Sequence, residues 1–223
     1  MALVDYQPSM LDLAAPALGE LTGGRRTVLT GGAWVDHLPG WVGGSDEVFD
    51  VLLSEVPWRA ERREMYDAEV AVPRLLCWYG GSARLPHPVL AQARDLLSRH
   101  YRDELGEPFV TAGMCLYRDG RDSVAWHGDT HGRGSRQDTM VAIVSFGSPR
   151  VLALRPRVRD GGDGGDGDAT DRPGRESLRF ALGHGDLVVM GGSCQRTWEH
   201  AVPKTARPVG PRVSVQFRPA GVA

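Results

Sequence analysis

From Phe109 to Phe217 the chain breaks into short strand-like runs separated by glycine, proline and polar turns. This pattern limits the fold more than any other feature. The runs are Met114–Tyr117, Ser123–Trp126, Thr139–Phe146, Val151–Arg155, Ser177–Ala181, Asp186–Met190, Thr197–Ala201 and Arg212–Phe217. Eight such runs with turns between them predict an antiparallel sandwich or barrel. The earlier part of the chain has a different texture. Ser45 to Val56 carries Val48, Phe49, Leu52 and Leu53 at helical spacing, and Pro88 to Tyr101 does the same with Val89, Leu90, Ala93, Leu96 and Leu97. The stretch between these helices, with Trp58, Met65, Tyr66, Pro73, Trp78 and Tyr79, reads as irregular. Helices first and strands after give an α+β fold in which helices buttress one sheet.

The 223 residues suit one domain with a full core, and 41% hydrophobic with 24% charged residues is an ordinary globular balance. No apolar run is long enough to span a bilayer. Met1 to Pro16 holds Asp5 and Asp12 and no basic leader, so no secretory signal is expected. Cys77, Cys115 and Cys194 are odd in number and widely spaced, which predicts free thiols and a cytoplasmic location. A net charge of −2 excludes nucleic-acid binding by bulk charge alone but leaves room for a local basic groove. Lys204 is the only lysine, a bias that makes arginine abundance uninformative, so only arginine positions carry weight. Residues 160–176, DGGDGGDGDATDRPGRE, hold too little apolar surface to offset their ordering entropy and are expected to form a flexible loop. Their aspartates lack the fixed spacing of a calcium loop.

The strand ending Trp126-His127-Gly128-Asp129 places an imidazole and a carboxylate two residues apart, hence on one side of extended backbone. His200, in the late run Trp198-Glu199-His200-Ala201, is the natural second imidazole from a neighbouring strand. Two histidines and one carboxylate on one face of an octahedral ion leave three positions open, the arrangement of non-haem Fe(II) oxygenases. A structural zinc site would need a fourth protein ligand. His184-Gly185-Asp186 repeats the spacing but sits at a turn, where Asp186 is more simply a hydrogen bonder at strand entry. Beyond His200, Arg212 and Arg218 lie at even spacing on one strand, so both guanidiniums face the same way and can pair with a dicarboxylate.

These residues resemble the AlkB family of Fe(II)/2-oxoglutarate-dependent dioxygenases, which repair alkylated nucleic acids. The matching text is Leu116-Tyr117-Arg118-Asp119-Gly120, Trp126-His127-Gly128-Asp129, Val144-Ser145-Phe146-Gly147 with Arg150, then His184 to Met190, Trp198 to Pro203, and Arg212 to Arg218. The pieces come in family order from about Pro57 onward, with Pro73-Arg74 and Trp78-Tyr79-Gly80 similar to the family's lid. The resemblance implies a double-stranded β-helix (jelly-roll) core at 106–219 with N-terminal buttressing helices and a substrate lid at 1–105, in one dioxygenase domain. It implies Fe(II) held by His127, Asp129 and His200, and 2-oxoglutarate held by Tyr117, Arg212 and Arg218, with O2 as the other cosubstrate.

Three positions depart from the family pattern. Cys115 stands where an asparagine is common, and Ser214 where a polar amide is common; both are cosubstrate-contact positions. His131 stands where an acidic residue often meets the substrate base. The implied activity is oxidative demethylation of 1-methyladenine and 3-methylcytosine in DNA, with RNA as a further substrate, by a monomer acting at no membrane. A base must leave the duplex to reach such a centre and then needs surfaces to stack on. Trp58, Tyr66, Trp78, Tyr79 and His131 are the candidates, with Arg133, Arg136 and Arg150 for phosphates. The alternatives are the same oxygenase acting on RNA, a protein side chain or a small molecule, or a non-catalytic nucleic-acid reader.

Overall fold

The structure, a computed structural model, describes residues 15–65, 68–130, 132–157 and 177–222. The expected loop at 160–176 lies outside them, as do Tyr66 and His131. Strands β1 (Ala17–Leu18), β2 (Arg25–Val28), β3 (Ala33–Leu38) and β4 (Val42–Gly43) precede helix α1 (Ser45–Glu55). A hairpin of β5 (Arg59–Met65) and β6 (Ala68–Tyr79) follows, then α2 (Pro88–His100) and the single turn α3 (Arg102–Leu105). The remaining elements are β7 (Thr111–Tyr117), β8 (Val124–His127), β9 (Val141–Gly147), β10 (Arg150–Pro156), β11 (Leu178–Leu182), β12 (Leu187–Gly192), α4 (Cys194–Thr197), β13 (Trp198–Val202) and β14 (Arg212–Arg218).

Two antiparallel sheets face each other. The larger runs β2-β3-β12-β9-β14-β7-β6-β5 and the smaller β11-β10-β13-β8. This is a double-stranded β-helix, and its side-chain pattern follows from having both faces of the large sheet covered. On β9, Val141 and Ile143 point into the space between the sheets, while Ala142, Val144 and Phe146 point to the helices. β12 divides likewise, with Val188 and Met190 inward and Leu187 and Val189 toward the helices. Such strands show no polar alternation because neither side meets water.

The helices cover the outer face as expected. α1 carries Asp46 and Glu47 in its first turn, where carboxylates favour the positive end of the helix, and buries Val48, Phe49 and Leu52. α2 begins at Pro88, which has no N–H to lose, and the His87 ring accepts a hydrogen bond from the Val89 N–H at 3.2 Å. Its buried Val89, Leu90, Ala93 and Leu97 join the same core as Val215 and Phe217 of β14.

One sequence expectation is corrected here. The stretch between the helices is a β-hairpin that extends the large sheet, not irregular chain. β6 pairs with β7 from Leu75↔Leu116 to Tyr79↔Ala112. β5 escaped notice because Arg59-Ala60-Glu61-Arg62-Arg63-Glu64-Met65 has no alternating apolar face; it is an outermost strand, and charge there blunts edge pairing. Pro73 also argued against a strand, since it cannot donate to a ladder. The structure accommodates it in a bulge, where pairing jumps from Ala60↔Leu75 to Arg62↔Ala71. The N-terminal region adds β2 and β3 to the same sheet, β3 pairing with β12 from Leu38↔Leu187 to Ala33↔Gly192.

Candidate metal centre and its cavity

β14 is the strand on which the site is built. Val213, Val215 and Phe217 face the helices, so Arg212, Ser214, Gln216 and Arg218 alternate to the opposite face, between the sheets. A sandwich interior is ordinarily apolar, and four polar side chains from one central strand mark a place reserved for a polar guest.

Facing them, β8 and β13 bring two imidazoles together. His127 and His200 are register partners, with ring centroids 4.2 Å apart. Asp129 follows β8, and one ligand atom from each of His127, Asp129 and His200 falls within 4.8 Å of the others. Gly128 between them permits this turn. A Cβ there would stand 2.4 Å from the Gln195 carbonyl oxygen, so only glycine lets the end of β8 pack against α4.

Each ligand is oriented by a partner. His127 Nδ1 lies 2.9 Å from the Ala125 carbonyl oxygen, which can only accept, so Nδ1 carries the proton and Nε2 is left bare toward Asp129 Oδ1, 3.7 Å away. The Asp129 N–H donates to Gln195 Oε1 at 3.0 Å, and Arg218 Nε donates to Asp129 Oδ2 at 2.7 Å. Burial alone would raise the Asp129 carboxyl, which is only 3% exposed. Arg218, then His200 and His127, overcome that and hold it well below the usual carboxylate range. Burial pushes the His200 imidazole down to about 3, with His127 adding to the effect. The centre therefore holds a carboxylate anion and a neutral imidazole at neutral pH, the protonation state a divalent metal requires.

Deeper between the sheets lies a second polar cluster. Arg212 is buried and donates through Nη2 to Ser145 Oγ at 2.7 Å, yet its Nε and Nη1 have no hydrogen-bond partner. Its guanidinium carbon sits 5.2 Å from the centre of the Tyr117 ring. Burial pushes the Tyr117 phenol up to about 12, with Cys115 adding to the shift, so it remains a donor. A buried cation with unfilled N–H groups is costly unless an anion completes it. Arg212 and Tyr117 together therefore fit the carboxylate end of 2-oxoglutarate, and His127, Asp129 and His200 fit Fe(II). Cys115 and Ser214 are drawn to each other through Gln216, whose Oε1 accepts from Cys115 Sγ at 3.8 Å and whose Nε2 donates to the Ser214 carbonyl at 3.1 Å.

Beside the metal ligands opens a cavity of about 740 Å³. Its walls include His127, Asp129, Arg218, Gln216, Trp78 and Tyr79. Trp78 is 51% exposed and offers its indole there, on the strand β6 that the sequence reading left irregular. Two expected substrate contacts are placed elsewhere. Trp58 turns onto α1, donating from Nε1 to the Leu52 carbonyl at 3.1 Å within the helix-side core, because its ring finds apolar cover there. Arg150 is buried and braces two loops, donating to the carbonyls of Asp119 at 3.0 Å and of Asp122 and Pro203 at 2.8 Å. These bonds occupy the guanidinium that was expected to meet phosphate. Arg133 pairs with Glu107 and the Ala220 carbonyl, while Arg136 is exposed. His184 and Asp186 serve the turn: His184 Nδ1 accepts from the Gly147 N–H, and Asp186 from the N–H groups of Gly40 and Gly183, each at 2.7 Å.

Sequence reasoning missed Gln195 and Gln216. Gln195 lies in the single turn α4, which no apolar period announces. Gln216 was visible as the residue between Ser214 and Arg218 on the inward face of β14, and the even spacing that found the two arginines also pointed to it.

The fold and this site define a class, and comparison with known proteins agrees. The model of the 2OG-Fe(II) oxygenase superfamily matches residues 44–218. Among solved structures, a prolyl hydroxylase in complex with a hypoxia inducible factor peptide from Trichoplax adhaerens superposes with TM-score 0.55 at 13% identity, covering 85% of this chain and 83% of that one. This likeness concerns the fold alone. Alpha-ketoglutarate-dependent dioxygenase alkB homolog 3 of Bos taurus is 32% identical over 207 residues, covering 85% of this chain and 67% of its own. DNA oxidative demethylase ALKBH2 of Arabidopsis thaliana is 30% identical over 191 residues, covering 76% and 60%. The chain belongs to the AlkB family of these dioxygenases. Its cofactor set is that of the class: Fe(II), 2-oxoglutarate and O2.

Proposed function

We propose that the protein oxidatively demethylates N-alkylated bases, 1-methyladenine and 3-methylcytosine, in single-stranded DNA and also in RNA. The observation that carries this reading is the half-exposed Trp78 indole in the wall of the cavity that opens onto His127 and Asp129. A flat aromatic face beside a metal centre is what an extruded base stacks on. Arg59 and Arg74 line the same cavity and can meet the phosphates of a single strand. The name of the ALKBH2 relative, a DNA oxidative demethylase, supports the same substrate class.

When bound, Fe(II) with 2-oxoglutarate and O2 supplies oxidation of a substrate C–H bond, coupled to conversion of the oxo acid to succinate and CO2. The chain's residues do the rest. His127, Asp129 and His200 would hold the metal on one face, and Arg218 keeps Asp129 ionised and aimed. Arg212 and Tyr117 would fix the far carboxylate of 2-oxoglutarate. Trp78 would hold the base so that its N-methyl group reaches the centre. An N-methyl carbon that gains a hydroxyl then releases formaldehyde and leaves the unmodified base.

The test is release of formaldehyde and succinate with Fe(II), 2-oxoglutarate and a single-stranded oligonucleotide carrying 1-methyladenine or 3-methylcytosine, beside His127→Ala. Release that needs the methylated oligonucleotide and vanishes in the variant is expected. Succinate formed regardless of the oligonucleotide would keep the oxygenase and discard this substrate. Iron binding with no turnover at all would make the protein a reader.

A further inference from the structure

We infer that Gln216, facing the gap left by Gly113, is a specificity-determining residue that accepts a hydrogen bond from an exocyclic amino group on the substrate base. The inference deepens the demethylase reading and rests on it.

Gly113 and Gln216 are register partners on β7 and β14, and both line the cavity. A Cβ at position 113 would come within 2.9 Å of Arg218 Nη1, 3.2 Å of Gln216 Oε1 and 3.3 Å of Trp78 Cε3. The missing side chain is therefore what keeps a space open at the point where the stacking indole, the amide and the guanidinium converge. Arg218 reaches from that same point to Asp129 through its Nε, which ties the space to the metal ligands.

The amide has one orientation. Its nitrogen faces the Ser214 carbonyl oxygen at 3.1 Å and the Ser214 hydroxyl. A carbonyl oxygen cannot donate, so the group facing it must be the NH2, and Oε1 is turned toward Gly113. Oε1 has a weak contact from Cys115 Sγ at 3.8 Å and keeps a second lone pair for the cavity. The remaining N–H groups of Arg218 are those the family resemblance assigns to 2-oxoglutarate. The space over Gly113 thus presents an acceptor that cannot become a donor without losing the bond to the Ser214 carbonyl.

Adenine and cytosine carry an NH2 group next to the alkylated ring nitrogen in 1-methyladenine and 3-methylcytosine. That amino group sits on purine C6 or pyrimidine C4, where 1-methylguanine and 3-methylthymine carry a carbonyl oxygen, which would oppose Oε1 with no proton between them. An acceptor fixed in this way selects the first pair and disfavours the second.

The experiment measures binding of four single-stranded oligonucleotides, carrying each of these bases, to metal-free protein by fluorescence anisotropy, with turnover measured in parallel on the iron-loaded enzyme. Gln216→Met keeps the length and removes the acceptor. It is expected to reduce the preference for 1-methyladenine and 3-methylcytosine about tenfold in the ratio of dissociation constants, the worth of one such hydrogen bond. Gln216→Glu keeps an acceptor oxygen and should retain a preference in that direction. Gly113→Ala, which closes the space, should weaken all four. Equal effects of Gln216→Met on all four bases, or none, would overturn the inference. A wild-type protein that repairs methylated DNA without preferring 1-methyladenine and 3-methylcytosine would overturn it while leaving the demethylase reading intact. Absence of binding and turnover with every methylated oligonucleotide would overturn both.

Discussion

Arg212 illustrates how a single residue can announce a ligand. Its guanidinium is buried between the sheets with two nitrogens unfilled, and no carboxylate of the described residues pairs with it. Burial works against the charge, so the position is maintained at a cost to the folded protein alone. Replacement by lysine keeps the charge but loses the planar fork. Arg212→Lys should raise the KM for 2-oxoglutarate roughly tenfold or more, while the oligonucleotide KM moves little. Steady-state kinetics with each substrate varied in turn separates these effects; an unchanged KM for 2-oxoglutarate would place the cosubstrate elsewhere. Residues of this kind were legible in the sequence because strand periodicity fixes the face on which they lie. Arg218 was legible as a cosubstrate partner, but its bond to Asp129 was not. That contact joins β14 to the end of β8 across the interior, and no sequence spacing encodes a distance between strands so far apart in the chain.

At the scale of elements, the strands of the core follow the sequence runs closely because each is bounded by glycine or proline and filled by β-branched or apolar residues. β7, β9, β12 and β14 begin or end within a few residues of expectation. The hairpin β5–β6 was hidden for a physical reason: an edge strand of charged residues and a bulged strand containing proline lack the usual signal. Yet this hairpin supplies Trp78. Trp78→Ala should weaken binding of a methylated oligonucleotide about ten- to a hundredfold, the range for loss of one base stack, and leave substrate-independent 2-oxoglutarate consumption unchanged. Anisotropy titration and succinate assays check the two halves separately. Undiminished oligonucleotide binding would remove the indole from the substrate path.

For the whole molecule, the groups buried between the sheets set how stability responds to alkali. Burial pushes the Cys194 thiol up from 9.0 to about 12, and the Tyr117 phenol from 10.0 to about 12. Both are acids whose folded form holds its proton more tightly than the unfolded chain does. Their contribution is complete below the ordinary values and is lost as pH rises through the folded ones. Tm should therefore fall between about pH 9 and 12, and Cys194→Ala should make that fall shallower. Scanning calorimetry across the range tests this, and a wild-type Tm flat to pH 12 would contradict it. The order of strands in the large sheet has a consequence of another kind. The residues assigned to metal and cosubstrate sit on β14, β7 and β13 or at the end of β8, whereas Trp78, Arg59 and Arg74 belong to the two strands at one margin of the large sheet. The protein is thus divided into an engine and an interchangeable tool head. A marginal hairpin can be lengthened, recharged or exchanged without disturbing the pairing of β14 with β9 and β7, so the grip on a client's stacked face and phosphates can change without redesign of the oxidation chemistry, while the choice of base made by Gln216 stays with the engine.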